Sequence, residues 1–374
     1  MLPLHGIKVV EIAENIAGPY AGQILALLGA EVLKIERPEG DNGRGWGPPF
    51  HGGMATTFHA CNMNKQSVVL DLKNPADLAW VQSRIAASDV VVQNMRPGQA
   101  DSLGLGGEAL TAAKPGLIYC NIGAFGARGP LAARPGYDPL MQAFGGLMSV
   151  TGEEGRPPVR VAPSIIDVGT GLWAVIGILA ALHRRPQAGR GGVVDVSLFE
   201  TAVAWMSMHA AQYQASGQLP GRQGSGQRGI VPYRAFRTAD GDLVVAAGNN
   251  SLFTRLAGAL GHPEWAADPR FASNPLRVEH QAALYALIEP EMAARPSAAW
   301  VAALDVAGVP CAPVQDLEQM LGHEQTAALG MMQKLPGLDF STVALPISFD
   351  GARPQPRLPV PGLGQHTAML QEVP

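Results

Sequence analysis

The sequence is poor in charge. Lysine, arginine, aspartate and glutamate make up 16% of its 374 residues, against roughly 25% in an ordinary soluble protein. The 27 basic residues are outnumbered by 31 acidic ones, which disfavours a nucleic-acid-binding surface. Cysteine is scarce too. Cys61, Cys120 and Cys311 are scattered and form no Cys-x-x-Cys pair. Such an odd set implies neither a disulfide framework nor a zinc site, and it fits a reducing cytoplasm. The nine histidines show no metal-ligand spacing, and G-x-S-x-G, H-E-x-x-H and P-loop sequences are all missing. Long apolar runs are missing as well. The longest, residues 168–182, is 15 residues and is interrupted by glycines, while a membrane span needs about 20. Lys8 and Glu11 interrupt the N-terminus before an export signal's apolar core could form. The expectation is a cytoplasmic protein with no membrane and no nucleic-acid partner.

Glycine and proline, in contrast, are abundant. There are 45 and 31 of them, together about a fifth of the chain, against roughly 12% on average. The glycines have no three-residue period, which excludes a collagen-like chain. A hydrophobic fraction of 47% with a net charge of -4 excludes disorder.

The first 125 residues alternate between two periods. Apolar, β-branched runs at 8–12, 31–35, 67–72, 89–92 and 117–122 read as strands, and 20–28 and 75–87 carry helical apolar faces. Strands alternating with crossover helices predict a Rossmann-like parallel α/β sheet. Residues 168–183 are apolar on all sides and predict a buried helix. A strand over 193–196 and a helix over about 198–214 follow. The stretch 216–229, SGQLPGRQGSGQRG, has the composition of a linker. Beyond it, runs at 233–236 and 243–246 flank Asp240-Gly241, a hairpin signal, and helical patterns follow at 251–260, 282–293 and 298–307. The predicted organisation is therefore a large domain over 1–215, a linker over 216–229, a smaller α+β domain over 230–325, and a segment over 326–374 that returns to the large domain.

Two places carry candidate chemistry. The first strand leads into Ile16-Ala17-Gly18-Pro19, where small residues let a ligand approach a helix N-terminus. Glu36 and Arg37 end the second strand, the position that reads a nucleotide's ribose or adenosine phosphate in such sheets. An acidic residue alone fits NAD, an adjacent arginine fits a phosphorylated adenosine, and an exposed surface pair fits equally. Gly104-Leu105-Gly106-Gly107-Glu108-Ala109 matches only the loose form of a dinucleotide fingerprint and reads better as a turn into a helix. The second place is Asp167, directly before the apolar helix. Aspartate is a favoured helix N-cap. Ionised by the helix dipole, it also fits a covalent nucleophile, with the N–H groups of Gly169 to Gly171 facing a developing oxyanion.

These segments together resemble class III CoA-transferases, the family of formyl-CoA transferase and carnitine CoA-transferase that also contains α-methylacyl-CoA racemase. The resemblance is carried by GIKVVEIAENIAGPYAGQILALLGAEVLKIERPEGD, NKQSVVLDLKNP, DVVVQNMRPG, GYDPLMQAFGG, APSIIDVGTGLWAVIGILAALHRR and GRGGVVDVSLFE, in order over residues 6 to about 205. It implies that Asp167 is the catalytic carboxylate, with Tyr137, Asp138 and Gly169 beside the thioester. It implies CoA contacts at Ala17, Arg37, Leu70, Lys73, Asn94, Met95 and Arg96. It implies no permanently bound cofactor and no metal, a CoA thioester as substrate, and a homodimer of two interlocked chains. An obligate interface of that kind is depleted in charge, which would account for the sparse charged surface.

Departures narrow the expectation. Ile16 and Ala247-Gly248-Asn249-Asn250 stand where oxalate-handling members have glutamine and a glycine run. Tyr137 stands where the racemase branch has histidine, and an unperturbed tyrosine near a pKa of roughly 10 is a poor acid/base partner. Transfer is therefore favoured over racemisation, which stays the alternative beside a nicotinamide oxidoreductase and a non-catalytic acyl-CoA binder. Residues 40–50 and 230–249 resemble members that use succinyl-CoA and dicarboxylic acceptors. Arg44 and Arg234 are candidate acceptor ligands, because arginine binds carboxylate bidentately.

Overall fold

Six of the apolar runs make one parallel sheet. In the computed structural model, which describes residues 1–371, the strands are β1 (Lys8–Ile12), β2 (Glu31–Glu36), β3 (Lys65–Val69), β4 (Val90–Gln93), β5 (Ile118–Gly123) and β6 (Gly192–Ser197). They stand in the order β3-β2-β1-β4-β5-β6, and every neighbouring pair is parallel. Alternate residues feed opposite faces, as a strand's period of two requires. Val9, Val32, Val90 and Ile118 enter one core, and Val10, Ile35, Val68, Val91 and Leu117 enter the other. Both faces are covered, so the strands read as continuous apolar runs.

Helices α1 (Ala17–Leu27), α2 (Pro75–Ala86), α3 (Asp138–Phe144), α4 (Ile165–Ala188), α5 (Leu198–Trp205) and α6 (Ser207–Ser216) surround the sheet. The helix expected over 198–214 is two helices, broken at Met206, whose ψ is 3°. Helix α4 also differs from expectation. It is 24 residues long, because it continues through Arg184, Arg185 and Pro186 to a left-handed Gly189. By length and composition alone it is long enough to cross a membrane. It is not buried all round. Ile166, Thr170, Ala174, Ile178 and Ala181 face the core, while Leu172, Trp173 and Ile176 are 42%, 39% and 54% exposed.

Beneath the β1 and β2 ends lies a buried ionic cluster. The Lys34 Nζ is 2.9 Å from Glu11 and 2.8 Å from Asp41, and Lys65 Nζ is 2.8 Å from the other Glu11 oxygen. Lys34 also donates to the Ala13 carbonyl, and Lys65 to Pro19 and Asn62. Gly22 makes room for the cluster, since a Cβ there would stand 1.8 Å from Glu11 Oε2. Lys65 explains why β3 starts two residues before the apolar run does: its ammonium belongs to this cluster.

Contacts divide the chain into two units. The first holds Met1–Met148, Arg160–Gln218 and the chain from Glu324 onward. The second holds Ser149–Val159 and Leu219–His323. Ser149–Val159 thus belongs to the second unit, although the sequence reading places it inside residues 1–215. Part of the linker-like stretch belongs there too: Gly224 donates to the Gly152 carbonyl and Arg222 to the carbonyls of Glu153 and Arg156. The second unit is built on an antiparallel sheet of Tyr233–Arg237, Asp242–Ala246 and Cys311–Pro313, with the hairpin turning over Asp240-Gly241. Its core contains Phe236, Leu243, Phe253, Leu256 and Trp300.

In the first unit, residues 364–367 lie along β3. The Ser67 and Val69 N–H groups donate to His366 Nδ1 and Thr367 Oγ1, and the Ser67 carbonyl accepts from the His366 N–H.

Removing one member of a buried ion cluster strands the others. Lys34→Met is expected to lower stability by about 3–5 kcal/mol, read as a shifted midpoint in guanidinium unfolding.

Candidate active site

The strand order reverses between β1 and β4, and open parallel sheets bind ligands at the carboxyl ends of the strands flanking such a reversal. Here the two lips of that crevice are tied together. Asn94, just after β4, donates its Nδ2 to the Glu14 carbonyl (2.7 Å) and accepts the Glu14 N–H (3.0 Å). Asn94, Met95 and Arg96 follow β4, and Ala17 starts α1 behind β1. Arg37 follows β2, and Leu70 and Lys73 follow β3. All seven candidate CoA positions therefore lie beyond carboxyl ends of neighbouring strands. Leu70 and Ala17 are buried, while Arg37, Lys73 and Arg96 are exposed cations.

The Glu36-Arg37 pair separates into two different roles. Glu36 is 3% exposed and turned inward. It accepts both arms of Arg44 at 2.7 Å, the Ser67 hydroxyl at 2.6 Å and the Asp41 N–H. Its carboxyl is held below the usual range: burial works against this and the Arg44 and Lys34 charges and the Ser67 hydroxyl outweigh it. Glu36 is thus unavailable to a ribose. Arg37 instead points outward, held by the Gly40 carbonyl (3.0 Å) and by Asn42.

Arg44 is corrected by the same contacts. Its fork is filled by Glu36, its third nitrogen donates to the Pro361 carbonyl, and its plane lies over Phe58. It holds the β2 end together and has no fork left for an acceptor carboxylate. Arg234 lies in the second unit, over the Tyr285 ring and 3.6 Å from Glu289.

Asp167 is the third residue of α4 rather than its cap, because the helix begins at Ile165. Ser164 occupies the N-cap position and makes no side-chain cap bond. The cap comes from 28 residues upstream. Asp138 Oδ2 accepts the Ile166 N–H at 2.7 Å and the Asp167 N–H at 3.3 Å. The Ile165 and Val168 N–H groups donate to the Pro163 and Ser164 carbonyls. Gly169 to Gly171 sit deeper in the helix, where their N–H groups bond one turn back. The oxyanion role expected of those N–H groups therefore does not hold. The glycines serve packing. A Cβ on Gly169 would meet Trp205 at 2.8 Å, and one on Gly171 would meet the Ala17 carbonyl at 2.8 Å. Residues i and i+4 share a helix face, so Asp167 stands one turn above the point where α4 touches Ala17. The carboxylate and the sheet crevice are thereby joined.

Asp138 is 2% exposed, and Tyr137 beside it is 55% exposed. Its second oxygen accepts from Gln142 Nε2 at 2.6 Å. Gln142 was not among the sequence candidates. Its amide also pairs with the backbone of Val161 in both directions, at 2.8 and 3.1 Å. Burial first, and the Asp138 charge second, push the Asp167 carboxyl up to about 7. The sequence reading, which expects the helix dipole to keep Asp167 ionised, misses this burial and the nearby carboxylate.

The family model described as CoA-transferase family III matches residues 4–367. The chain belongs to CoA-transferase family III. Succinyl-CoA:glutarate CoA-transferase of Mus musculus is 35% identical, over 100% of this chain and 87% of that protein. Succinate–glutarate CoA-transferase of Agrobacterium fabrum is 36% identical, over 98% and 94%. A CAIB/BAIF family protein from Brucella suis has a solved structure that is 39% identical, with a TM-score of 0.89 over 99% of this chain and 98% of that one. The protein is a CoA-transferase, which sets aside the nicotinamide-oxidoreductase and non-catalytic readings.

The raised Asp167 pKa has a consequence for stability. The folded chain binds this proton more tightly than the unfolded chain, whose ordinary value is 3.8. The group's contribution is greatest below that value and is lost as pH rises through about 7. Asp167→Asn is therefore expected to gain about 2–3 kcal/mol over the wild type between pH 5 and pH 8, measured by denaturant unfolding at both pH values.

Proposed function

We propose that this transferase moves CoA from succinyl-CoA to a carboxylic acid acceptor of the dicarboxylic class, with Asp167 as the covalent nucleophile. The observation that carries the reading is the placement of Asp167, one helical turn above Ala17 at the switch-point crevice. The names of the relatives, several of which use succinyl-CoA, support the donor.

The Asp167 carboxylate attacks the donor thioester carbonyl. The C–S bond breaks, leaving an acyl-aspartyl anhydride and CoA thiolate. The thiolate attacks the aspartyl carbonyl, releases the donor acid and leaves an aspartyl-CoA thioester. The acceptor carboxylate attacks that thioester and expels the thiolate. The thiolate then attacks the acceptor acyl carbonyl, giving acceptor-CoA and free Asp167. One thioester is exchanged for another, so the sequence of steps needs no ATP. Arg37, Lys73 and Arg96 face the phosphates, and Ala17, Leu70, Asn94 and Met95 line the rest of the CoA path. Tyr137, half exposed beside Asp138, borders the thioester.

The same reading includes an interlocked homodimer. The exposed large apolar side chains Tyr137, Leu140 and Phe144 at α3 and Leu172, Trp173 and Ile176 on α4 support it, since an interface would cover them. Sedimentation at micromolar concentration is expected to give a dimer, and a monomer would remove this part.

Incubation with succinyl-CoA followed by hydroxylamine is expected to leave a hydroxamate on Asp167, located by mass spectrometry. An Asp167→Ala variant transferring CoA at the wild-type rate would sink the mechanism. Because the attacking form is deprotonated, kcat/KM is expected to fall about tenfold per unit as pH drops below about 7. Arg37→Ala is expected to raise KM for the CoA thioester by about tenfold with kcat little changed.

A further inference from the structure

We propose that Gln142 is a positioning residue for Asp167: its side-chain amide, locked by the backbone of Val161, fixes the Asp138 carboxylate against the first turn of α4. The inference rests on Asp167 being the nucleophile.

Gln142 is fully buried, at 0% exposure. Its Oε1 accepts the Val161 N–H at 2.8 Å, and its Nε2 donates to the Val161 carbonyl at 3.1 Å. A backbone N–H only donates and a carbonyl only accepts, so this pairing permits one orientation of the amide. The remaining amide N–H then points at Asp138 Oδ1, 2.6 Å away. With Oδ1 so held, Asp138 presents Oδ2 to the Ile166 and Asp167 N–H groups. Val161 lies in the unstructured approach to α4, so the same amide also anchors the chain shortly before the nucleophile.

Asp138 is the anion that acts on Asp167. Tyr20 on α1 and Cys61 in Thr56–Cys61 have their pKa values raised by burial, which keeps both neutral. Glu200 on α5 is turned to the Ser197 hydroxyl at 2.6 Å, and Asp195 on β6 to the Asn121 amide at 3.0 Å. Without the Gln142 donor, Asp138 Oδ1 loses its partner and the carboxylate is free to turn from the first turn of α4, which carries its charge away from Asp167.

The test uses the full chain with its aspartates labelled at the carboxyl carbon. The Asp167 titration is followed by NMR and assigned by its loss in Asp167→Asn. Gln142→Met is expected to lower the Asp167 midpoint by at least about half a unit. The acid limb of kcat/KM should move with it. In the same variant kcat should fall about tenfold while KM for the CoA thioester stays within about twofold. In an Asp138→Asn background the same substitution should leave the midpoint where it is, since the effect passes through Asp138. Gln142→Asn, whose shorter arm cannot span Val161 and Asp138 together, serves equally if Gln142→Met does not fold. Lower stability with an unmoved midpoint would overturn the proposal and leave the nucleophile reading intact. A moved midpoint with a pH profile that ignores it would instead overturn Asp167 as nucleophile and leave the positioning contact standing.

Discussion

The site depends on one buried carboxylate facing two ways. Asp138 closes the open end of α4 through one oxygen and meets Gln142 through the other. A helix start leaves several backbone donors without partners, and a buried start without them is costly. Here the partner comes from another helix, so the direction of α4 is tied to the position of α3. The same carboxylate that holds the first turn of α4 adds its charge to burial in raising the Asp167 pKa. The placement of Asp167 and its hold on a proton are thus linked through one group.

The second constraint is close approach. Helix α4 passes α1 at glycine contacts, Gly171 against the Ala17 carbonyl. Any larger residue there would lift α4 away from the sheet and carry the nucleophile with it. Below that contact, the Asn94 side chain holds the β1 and β4 loops at a set spacing. The buried cluster of Glu11, Lys34, Asp41 and Lys65 fixes the strand ends under both. The crevice is therefore preorganised by polar contacts deep beneath it, while Arg37, Lys73 and Arg96 stay exposed at the strand ends.

Much of this was legible in the sequence for a physical reason. Doubly covered strands are mostly apolar, so β1, β2, β4 and β5 announce themselves by runs such as Val90-Val91-Val92, and two buried exceptions, Glu11 and Lys34, pair with each other. The hairpin over Asp240-Gly241 is similarly local. What was not legible depends on partners distant in sequence. Asp167 reads as a cap because aspartate before an apolar helix usually is one; the actual cap lies 28 residues away. Glu36 and Arg37 are adjacent letters with opposite fates, since only the fold shows which one turns inward. Arg44 has the right chemistry for an acceptor ligand, and loses that role to Glu36, eight residues earlier. Gln142 carries no chemical signature at all. An amide becomes informative only when both of its ends are seen to be engaged.

The contacts of residues 364–367 with β3 have a consequence of another kind. β3 is the outermost strand of the large sheet, and an uncovered outer strand offers unpaired backbone groups on which a foreign strand can grow. Here Ser67 and Val69 are engaged by His366 and Thr367, largely through side chains rather than a further strand. The chain's own late segment thereby stops the sheet without extending it. A shortened protein lacking that segment would keep its crevice residues in sequence and yet carry an open, sticky border, and would fail first by self-association.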